Sequence, residues 1–237
     1  MIKNIRIRIK ETIANIMCDD LYYYDALKEI ELQRNELEQY IERDNSFLIS
    51  LSPVQENDKM PAIAKEMCTA SRMAGVGPMA SVAGAISQYG VKKIIGLGSS
   101  FGLIDNGGDI ALVTDRQLIV GIFTGPAKIK NIGLKIQPDE NILGICTSSG
   151  IIGHSLSFGK AHAVTVLSHD TLLADSAATA ICNECTRKDP VLIEEVLNKY
   201  YLDGILGAIV IFDDYFGCIG EIPEICETDI DYKLIAK

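Results

Sequence analysis

Positive charge is scarce in this sequence: 22 lysines and arginines stand against 32 aspartates and glutamates, and the formal net charge is −10. A protein whose main partner is a nucleic-acid backbone or an anionic membrane needs a basic face, so the deficit argues against both partners. Small molecules that carry phosphates are not excluded, because a local basic pocket can exist within an acidic whole.

Long apolar runs are also missing. No window reaches the roughly 18 apolar residues of a membrane span, and the N-terminal stretch MIKNIRIRIKETIANIM lacks the apolar core of a signal peptide. We therefore expect no membrane partner, a cytoplasmic location and reduced thiols at the seven cysteines. Cys182 and Cys185 form a CxxC pair, but there is no second pair and no histidine at zinc-finger spacing. Buried thiols are therefore favoured over a zinc site there.

The hydrophobic pattern predicts a mixed fold. Apolar residues alternate over Ile2 to Lys10 and recur at helical spacing over Tyr22 to Arg43, which indicates a strand followed by an amphipathic helix. Further strands are predicted at 11–17, 47–51, 92–97, 117–123, 129–136, 142–146, 163–167, 204–212 and 221–236. Further helices are predicted at 61–73 and 79–89, from 171 and from 189.

Strands therefore come in groups with helices between the groups, which favours an α+β fold with mostly antiparallel sheets. No linker divides the sequence. We expect a single domain over residues 1–237, with two related halves, about 1–110 and 111–237, as a further expectation.

The stretch from Leu143 to Cys185 concentrates glycines, hydroxyl residues, three histidines and two aspartates in otherwise apolar sequence. Its predicted helix carries Asp175 and Thr179, four residues apart and therefore on one face. A carboxylate and a hydroxyl one turn apart can ligate a hard cation through oxygen. The alternative is structural: an aspartate stabilised by the helix dipole, and a threonine bonded to its own helix.

Two glycine-bearing segments are further candidates. The tetrapeptide Asn106 to Asp109 predicts a tight turn, at which backbone can touch a ligand and the carboxylates of Asp105 and Asp109 can point at a metal or a ribose. The helix that follows Pro78 consists almost wholly of small residues, which permits close approach to a sheet or to a ligand. Its free N–H groups would suit an anion. Close helix–sheet packing and ligand binding both remain open for this helix.

Three motifs in order resemble the flavin transferases of the ApbE type: DNGGDI at 105–110, ICTSSG at 145–150 and VTVLSHDTLLADSAATAI at 164–181. In those transferases a strand ends in Gly-Gly-Asp, a later strand ends in Thr-Ser-Gly, and a third strand precedes a helix with Asp and, four residues on, Thr. The whole chain resembles more closely an uncharacterised side branch of the ApbE-like superfamily. The marks of that branch are VGPMASVAGAI at 76–86 and GHSLSFGKAHAVTVLSHD at 153–170.

The resemblance implies an ApbE-like fold of tandem T-fold-like halves, a homodimer, Mg²⁺ and FAD or another flavin or nucleotide. Asp175 and Thr179 fall where the transferases ligate magnesium, so the resemblance favours their metal role. The ligand-binding positions that we expect are Pro78, Met79, Ser81, Asn106, Gly107, Gly108, Asp109, Thr147, Ser148, Ser149 and Ser157.

Two departures from the transferases concern the reaction. Their small-residue helix carries a Lys-Gly pair and an Asp, whereas Pro78 to Gly84 has no charged residue. Their His precedes an Asp-Pro-x-Thr-Gly loop, whereas His154 precedes Ser-Leu-Ser-Phe-Gly. His154 is still the first candidate acid or base, because its ordinary pKa lies near neutrality.

Two hypotheses follow. The first is a Mg²⁺-dependent transferase or hydrolase that acts on a flavin- or nucleotide-like small molecule. The alternative is a flavin- or pterin-binding protein without turnover, or an enzyme of pterin-type cofactor biosynthesis. Fold analogy alone supports the pterin version.

Overall fold

The structure, a computed structural model, describes residues 1–152 and 157–230. Within these ranges the strands are β1 Ile2–Ile9, β2 Thr12–Asp19, β3 Gly102–Asn106, β4 Asp109–Thr114, β5 Leu118–Ile122, β6 Ile132–Ile136, β7 Asp139–Ser148, β8 Ala163–Ser168, β9 Ile205–Phe212, β10 Tyr215–Gly220 and β11 Glu224–Glu227. The helices are α1 Asp20–Arg43, α2 Ser46–Ile49, α3 Ala62–Ala74, α4 Val82–Gly96, α5 Thr171–Glu184 and α6 Pro190–Tyr200, and a 3-10 turn at Pro78–Ser81 precedes α4.

The strands of the described residues form two antiparallel sheets. The large sheet has the order β1-β2-β3-β4-β7-β8-β9-β10, and the small sheet has the order β11-β6-β5. In the large sheet, α1 to α4 lie between β2 and β3 along the chain, and α5 and α6 lie between β8 and β9. Two strands, helices and two strands therefore occur twice in succession. The predicted α+β class is confirmed, and the division into related halves stays a prediction.

Helices cover one face of the large sheet. Alternate residues of β2 and β3, such as Ala14, Ile16 and Ile104, pack with α1, α3 and α4, while β8 and β9 pack with α5 and α6. The small sheet covers the opposite face of β7, β8 and β9. Val120 and Leu134 of the small sheet belong to one apolar cluster with residues of these three strands. On β2 and β3, the face opposite the helices borders a cavity and is not covered by the small sheet.

Helix α1 shows how the sequence sets these elements. Asp19 begins it by accepting a hydrogen bond from the Leu21 N–H, and Ala26, Ile30 and Leu37 bury its apolar side. Its exposed side carries most of its charged residues, together with a few apolar ones such as Leu21 and Leu32. Among the described residues, no helix is both long and apolar enough to cross a membrane.

Two strand predictions are wrong. Residues 47–51 were expected to form a strand, but Ser46–Ile49 is helical and buries Phe47 in the core under α1. Residues 92–97 were also expected to form a strand, but α4 continues to Gly96, because Ile94 faces the same core as the preceding turns. Short apolar runs do not distinguish a strand from a buried helical segment.

The hairpin of β9 and β10 contains a strand that the sequence pattern did not indicate. Phe212 pairs with Tyr215, so Asp213 and Asp214 form a two-residue turn, in which Asp213 has a φ of 60°. Tyr215–Gly220 has the mixed burial of an edge strand. That mixture hid the alternation from which strands are predicted.

Candidate functional site

A cavity of about 400 Å³ lies between the uncovered face of the large sheet and the small sheet, and one end of it reaches α5. Its apolar walls come from both sheets and include Met17, Leu103, Ile110, Ile145, Val120, Ile122 and Ile152. Its polar lining comes from Asn4, Asn15, Asp105, Asp109, Thr147, Ser148, Ser149, Asp175, Thr179, Thr228 and Asp229. In the described part of the chain, no lysine, arginine or histidine lines it.

The turn between β3 and β4 shapes the middle of the cavity. Asn106 pairs with Asp109, so Gly107 and Gly108 form a two-residue hairpin turn, with φ values of 74° and 105°. Such a turn needs positive φ at both central positions, which glycine adopts without strain. Asp105 accepts a hydrogen bond of 2.8 Å from the Gly108 N–H and so fastens the turn. Both glycines line the cavity, as the sequence predicted for this segment.

Asp105 and Asp109 point to opposite faces of the large sheet, because side chains alternate along a strand. Asp109 shares its face with Ala111 and Val113, which belong to the core under the helices. Asp105 shares its face with Leu103, which packs on the small-sheet side. The cavity therefore reaches both sides of the sheet edge at this turn.

Asp109 and Asp175 both line the cavity at the helix side of the turn, and their carboxylates are close enough for the charge of one to act on the other. Burial raises the pKa of Asp109 well above its ordinary value, and the charges of Asp175 and then Asp105 raise it further, against hydrogen bonds from the Thr147 N–H and the Cys146 thiol. Burial raises the pKa of Asp175 to about 7, against hydrogen bonds from the N–H groups of Gly84 and Ala83. Two like charges in one enclosed place are costly unless a proton or a cation offsets them.

The first turn of α4 contacts the side chain of Asp175 on α5. The Gly84 N–H donates to Oδ2 of Asp175 at 2.9 Å. A Cβ at position 84 would lie 2.6 Å from the Thr171 carbonyl oxygen and 3.0 Å from Cβ of Asp175, so only glycine allows this approach of α4 to α5. Close packing of the small-residue helix is thus observed, and the anion at its N-terminal turn is a side chain of α5.

Thr179 lies one turn beyond Asp175 on α5 and also lines the cavity. The donors assembled here are carboxylate oxygens of Asp109 and Asp175 and the Thr179 hydroxyl, all of the hard kind that Mg²⁺ prefers. The described residues contain no group of three or more His, Cys, Asp or Glu side chains that could hold a metal ion. A cation at this place would complete its shell with water or ligand oxygens, as Mg²⁺ commonly does.

The hydroxyl residues after β7 line the cavity and also have partners within the protein. Oγ1 of Thr147 lies 2.8 Å from Oγ1 of Thr165 on the neighbouring strand. Oγ of Ser149 accepts hydrogen bonds from the N–H groups of Ile151 and Ile152. The Ser148 hydroxyl hydrogen-bonds to the Cys182 thiol. These contacts hold the chain at the exit of β7 against α5.

Five of the expected ligand-binding residues lie outside the cavity lining. Ser81 donates to the Pro78 carbonyl oxygen at 2.8 Å, within the 3-10 turn that also contains Met79 and packs on α3 and α5. The Asn106 amide donates to the Ala83 carbonyl oxygen at 3.4 Å, and the Ser157 hydroxyl bonds to the Cys182 sulfur at 3.2 Å. Their ligand roles stay predictions.

His154, the expected acid or base, lies outside the described residues. Its role therefore also stays a prediction.

A row of polar residues on the cavity face was missed by the sequence analysis. Arg6 of β1 pairs with Asn15 of β2, and Asn15 pairs with Asp105 of β3. The alternation in β1 was visible, but nothing in the sequence showed which residues of β2 and β3 would stand beside it. The pairing register of distant strands supplies that information.

Comparisons with known proteins agree with this architecture. A family model described as AbpE bacteria matches residues 15–214. The chain is 40% identical over 231 residues to a UPF0280 protein of Methanosarcina barkeri, covering 97% of this chain and 91% of that protein. It is 43% identical over 229 residues to a UPF0280 protein of Methanospirillum hungatei, covering 96% and 91%.

Two solved structures share the fold. One is the apo form of the flavinyl transferase ApbE from Pseudomonas stutzeri, with a TM-score of 0.56 at 11% identity over 92% of this chain and 94% of that chain. The other is the ApbE protein of Thermotoga maritima, with a TM-score of 0.56 at 9% identity over 100% of both chains. At such identities the likeness concerns the fold, and it confirms the expected ApbE-like arrangement.

Proposed function

The chain belongs to the ApbE-like family, on the branch of the UPF0280 proteins, and we propose that it binds a flavin- or nucleotide-like small molecule together with Mg²⁺ in the cavity between its two sheets. Transfer or hydrolysis at a phosphate of that ligand is the reaction that such a site would serve. Because one structural neighbour is a flavinyl transferase, FAD is the first ligand to test.

The observation that carries this proposal is the pair of carboxylates, Asp109 and Asp175. Burial raises the pKa values of both, the charge of Asp175 raises that of Asp109 further, and the described cavity lining offers no cationic side chain to offset them. A phosphate-bearing ligand would add further negative charge to the same place. A divalent cation resolves both conflicts, and the oxygen donors present fit one.

In this proposal, Asp175, Thr179 and Asp109 hold the cation. When bound, Mg²⁺ would neutralise phosphate oxygens and the charge that develops on a leaving group. The protein's own contribution is to fix the donors: the Gly84 N–H orients the Asp175 carboxylate, and the Thr147 N–H orients that of Asp109. The backbone of the glycine turn can approach the ligand closely because neither Gly107 nor Gly108 has a side chain.

The apolar walls supply the place for a ring. Leu103 and Ile110 of the large sheet lie on one side, and Val120 and Ile122 of the small sheet on the other. Flat heterocycles bind well between aliphatic side chains, with a few polar groups to fix orientation. We call the carboxylates of Asp109 and Asp175 the metal pair. With the metal pair at one end and the apolar slot beside it, the cavity matches a ligand that has a charged end and a flat ring.

Binding without turnover is the second candidate function, and one observation favours it. The segment Pro78–Ser81, which in the resembling transferases would lie in a charged helix, has no charged side chain and packs on α3 and α5 away from the cavity lining. A flavin- or pterin-binding protein belongs to this candidate, and an enzyme of pterin-type cofactor biosynthesis, which has turnover, is a separate alternative. The homodimer and the absence of a nucleic-acid partner remain predictions from the sequence.

The experiment is a ligand screen with product analysis. The purified protein is mixed with FAD, FMN, ATP or a reduced pterin, each with Mg²⁺ or with EDTA, and thermal stability and products are followed by calorimetry and mass spectrometry. We expect a Mg²⁺-dependent rise in unfolding temperature with a flavin nucleotide. Release of AMP or FMN from FAD would identify the reaction, and a stable complex without product would identify the binding protein.

Two variants make the screen specific. Asp175→Asn should lose the Mg²⁺-dependent shift, because the amide keeps an oxygen for the Gly84 N–H but removes the charge that binds the cation. Glu195→Gln changes an exposed carboxylate on α6 in the same way and should behave like the parent. A flavin shift that is equal with EDTA and with Mg²⁺, or that survives in Asp175→Asn, would contradict the proposal.

A further inference from the structure

The cavity has a second group of polar side chains, separate from the metal pair. Arg6, Asn15 and Asp105 stand side by side on β1, β2 and β3, one residue per strand in direct register. Asn15 and Asp105 line the cavity on the side of the small sheet. The neighbouring cavity residues of these strands, Met17 and Leu103, are apolar, so Asp105 is a charged group at the edge of an apolar slot.

Asp105 keeps hydrogen-bonding capacity that the described residues do not use. Its Oδ1 accepts from the Gly108 N–H at 2.8 Å, and the Asn15 side chain donates a second hydrogen bond to the carboxylate. Burial raises the pKa of Asp105, while these two hydrogen bonds and the Arg6 guanidinium lower it. An ionised carboxylate offers about four acceptor positions, so further positions remain for a ligand.

The slot beside Asp105 fits a flat ring rather than a sugar. Leu103 and Ile110 form its floor next to Asp105, and Val120 and Ile122 face them from the small sheet. A ring between these side chains would present its edge, not its face, to the carboxylate. A polar edge there needs a hydrogen-bond donor, because the carboxylate is only an acceptor.

We propose that Asp105 selects the ligand by accepting a hydrogen bond from a ring N–H that stands next to a ring carbonyl, the lactam edge of a flat heterocycle. Asn15 and Arg6 position and charge-balance the carboxylate. Flavins and pterins share this edge. Adenine does not, because in AMP none of its ring nitrogens carries a hydrogen, so it lacks the ring N–H that Asp105 would accept. This inference rests on the proposed function and adds the class of ring to it.

The test compares two ligands that differ only at this edge. FMN carries the N3–H, and 3-methyl-FMN carries a methyl group in its place. With Mg²⁺ present, we expect the parent to bind FMN about tenfold or more tightly than 3-methyl-FMN, since the methylated ring leaves the buried acceptor unpaired. A reduced pterin and AMP form two further arms: the pterin should bind measurably, which would place both lactam rings in the class, and AMP should bind more weakly than FMN.

Variants locate the effect. Asp105→Asn should lose the preference for FMN over 3-methyl-FMN and keep the parent's affinity for Mn²⁺ measured without a nucleotide. Glu195→Gln, which neutralises an exposed carboxylate on α6 outside the cavity lining, should keep the preference.

The outcomes separate this inference from the proposed function. Equal affinity of the parent for FMN and 3-methyl-FMN, with binding still dependent on Mg²⁺, would overturn the role of Asp105 alone. Absence of Mg²⁺-dependent binding of both flavins would overturn the role of Asp105 and the proposed function together. The ratio of the affinities for FMN and 3-methyl-FMN is measured on the parent protein. The inference can therefore be contradicted even if the Asp105→Asn protein folds poorly.

Discussion

Asp105 and Asp109 flank one two-residue turn, yet they have opposite surroundings. Asp105 accepts hydrogen bonds from the Gly108 N–H and the Asn15 side chain, and the Arg6 guanidinium lies near enough to lower its pKa. Asp109 points to the other face of the sheet, where the charge that raises its pKa most belongs to another carboxylate, Asp175. The first charge is balanced within the chain, and the second is not.

The difference separates a carboxylate whose charge described neighbours offset from one whose charge calls for a bound cation. A carboxylate with donors and a nearby cation can stay ionised at little cost, so Asp105 stabilises the turn whether or not a ligand is present. Two neighbouring carboxylates without a cation destabilise the fold, and such an arrangement commonly marks a functional site. Binding of a cation therefore explains why the metal pair is present. The following variants test whether the pair serves cation binding or the stability of the fold.

The largest effect should come from neutralising the metal pair. We expect Asp175→Asn and Asp109→Asn each to lower the affinity for Mn²⁺ by about a hundredfold or more, since even outer-shell changes cost about 10- to 100-fold. Neither variant should lower the free energy of unfolding in EDTA, because each removes a repelled, enclosed charge. Isothermal titration and urea unfolding measure the two quantities. Loss of stability together with loss of metal binding would make the pair a structural element.

The second effect is a pH dependence of stability. The pKa of Asp175 is about 7 in the fold against 3.8 ordinarily, so the folded state holds this proton more tightly than the unfolded chain. The corresponding contribution is fully present below about pH 4 and is lost as the pH rises through about 7, by about 4 kcal/mol at most. Urea unfolding of the parent and of Asp175→Asn in EDTA should show this loss in their difference. Mg²⁺ should offset it above pH 7, and a difference that stays flat with pH would be evidence against an enclosed, uncompensated carboxylate.

The approach of α4 to α5 gives the third effect. Gly84→Ala places a methyl group 2.6 Å from the Thr171 carbonyl oxygen, so we expect a loss of about 1–3 kcal/mol in the free energy of unfolding and weaker Mn²⁺ binding. Gly96→Ala, at the end of the same helix, meets nothing within 4 Å and should be neutral or stabilising. Equal stability of the two variants would mean that the contact does not hold Asp175 in place.

The smallest effect should come from Thr179. We expect Thr179→Val, which keeps the shape and removes the hydroxyl, to weaken Mn²⁺ binding about three- to tenfold, in the range of one hydrogen-bond-sized contribution. Thr179→Ser should restore most of the affinity, with unfolding unchanged in both. If Thr179→Val binds Mn²⁺ like the parent, Thr179 is not a ligand.

The sequence predicts part of this site because its signals are local. The glycine turn is visible in four consecutive residues, and helical spacing places Asp175 and Thr179 on one face, while their metal role is implied by the resemblance to the flavin transferases. Asn15 and Arg6 could not be found in this way, because their place beside Asp105 depends on the pairing of β1, β2 and β3 across the inserted helices. The same limit applies to the fold. The long amphipathic pattern predicts α1, whereas the short apolar run at Phe47 predicts a strand and the structure has a helical turn there.

The measurement that tests the metal pair most directly is anomalous diffraction from a crystal of the protein soaked in Mn²⁺. The expected result is an anomalous peak bounded by the carboxylates of Asp109 and Asp175 and the Thr179 hydroxyl, absent from crystals of Asp175→Asn treated alike. A soaked crystal with no peak at that place, or with an equal peak in the variant, would contradict the assignment of these residues to a divalent cation.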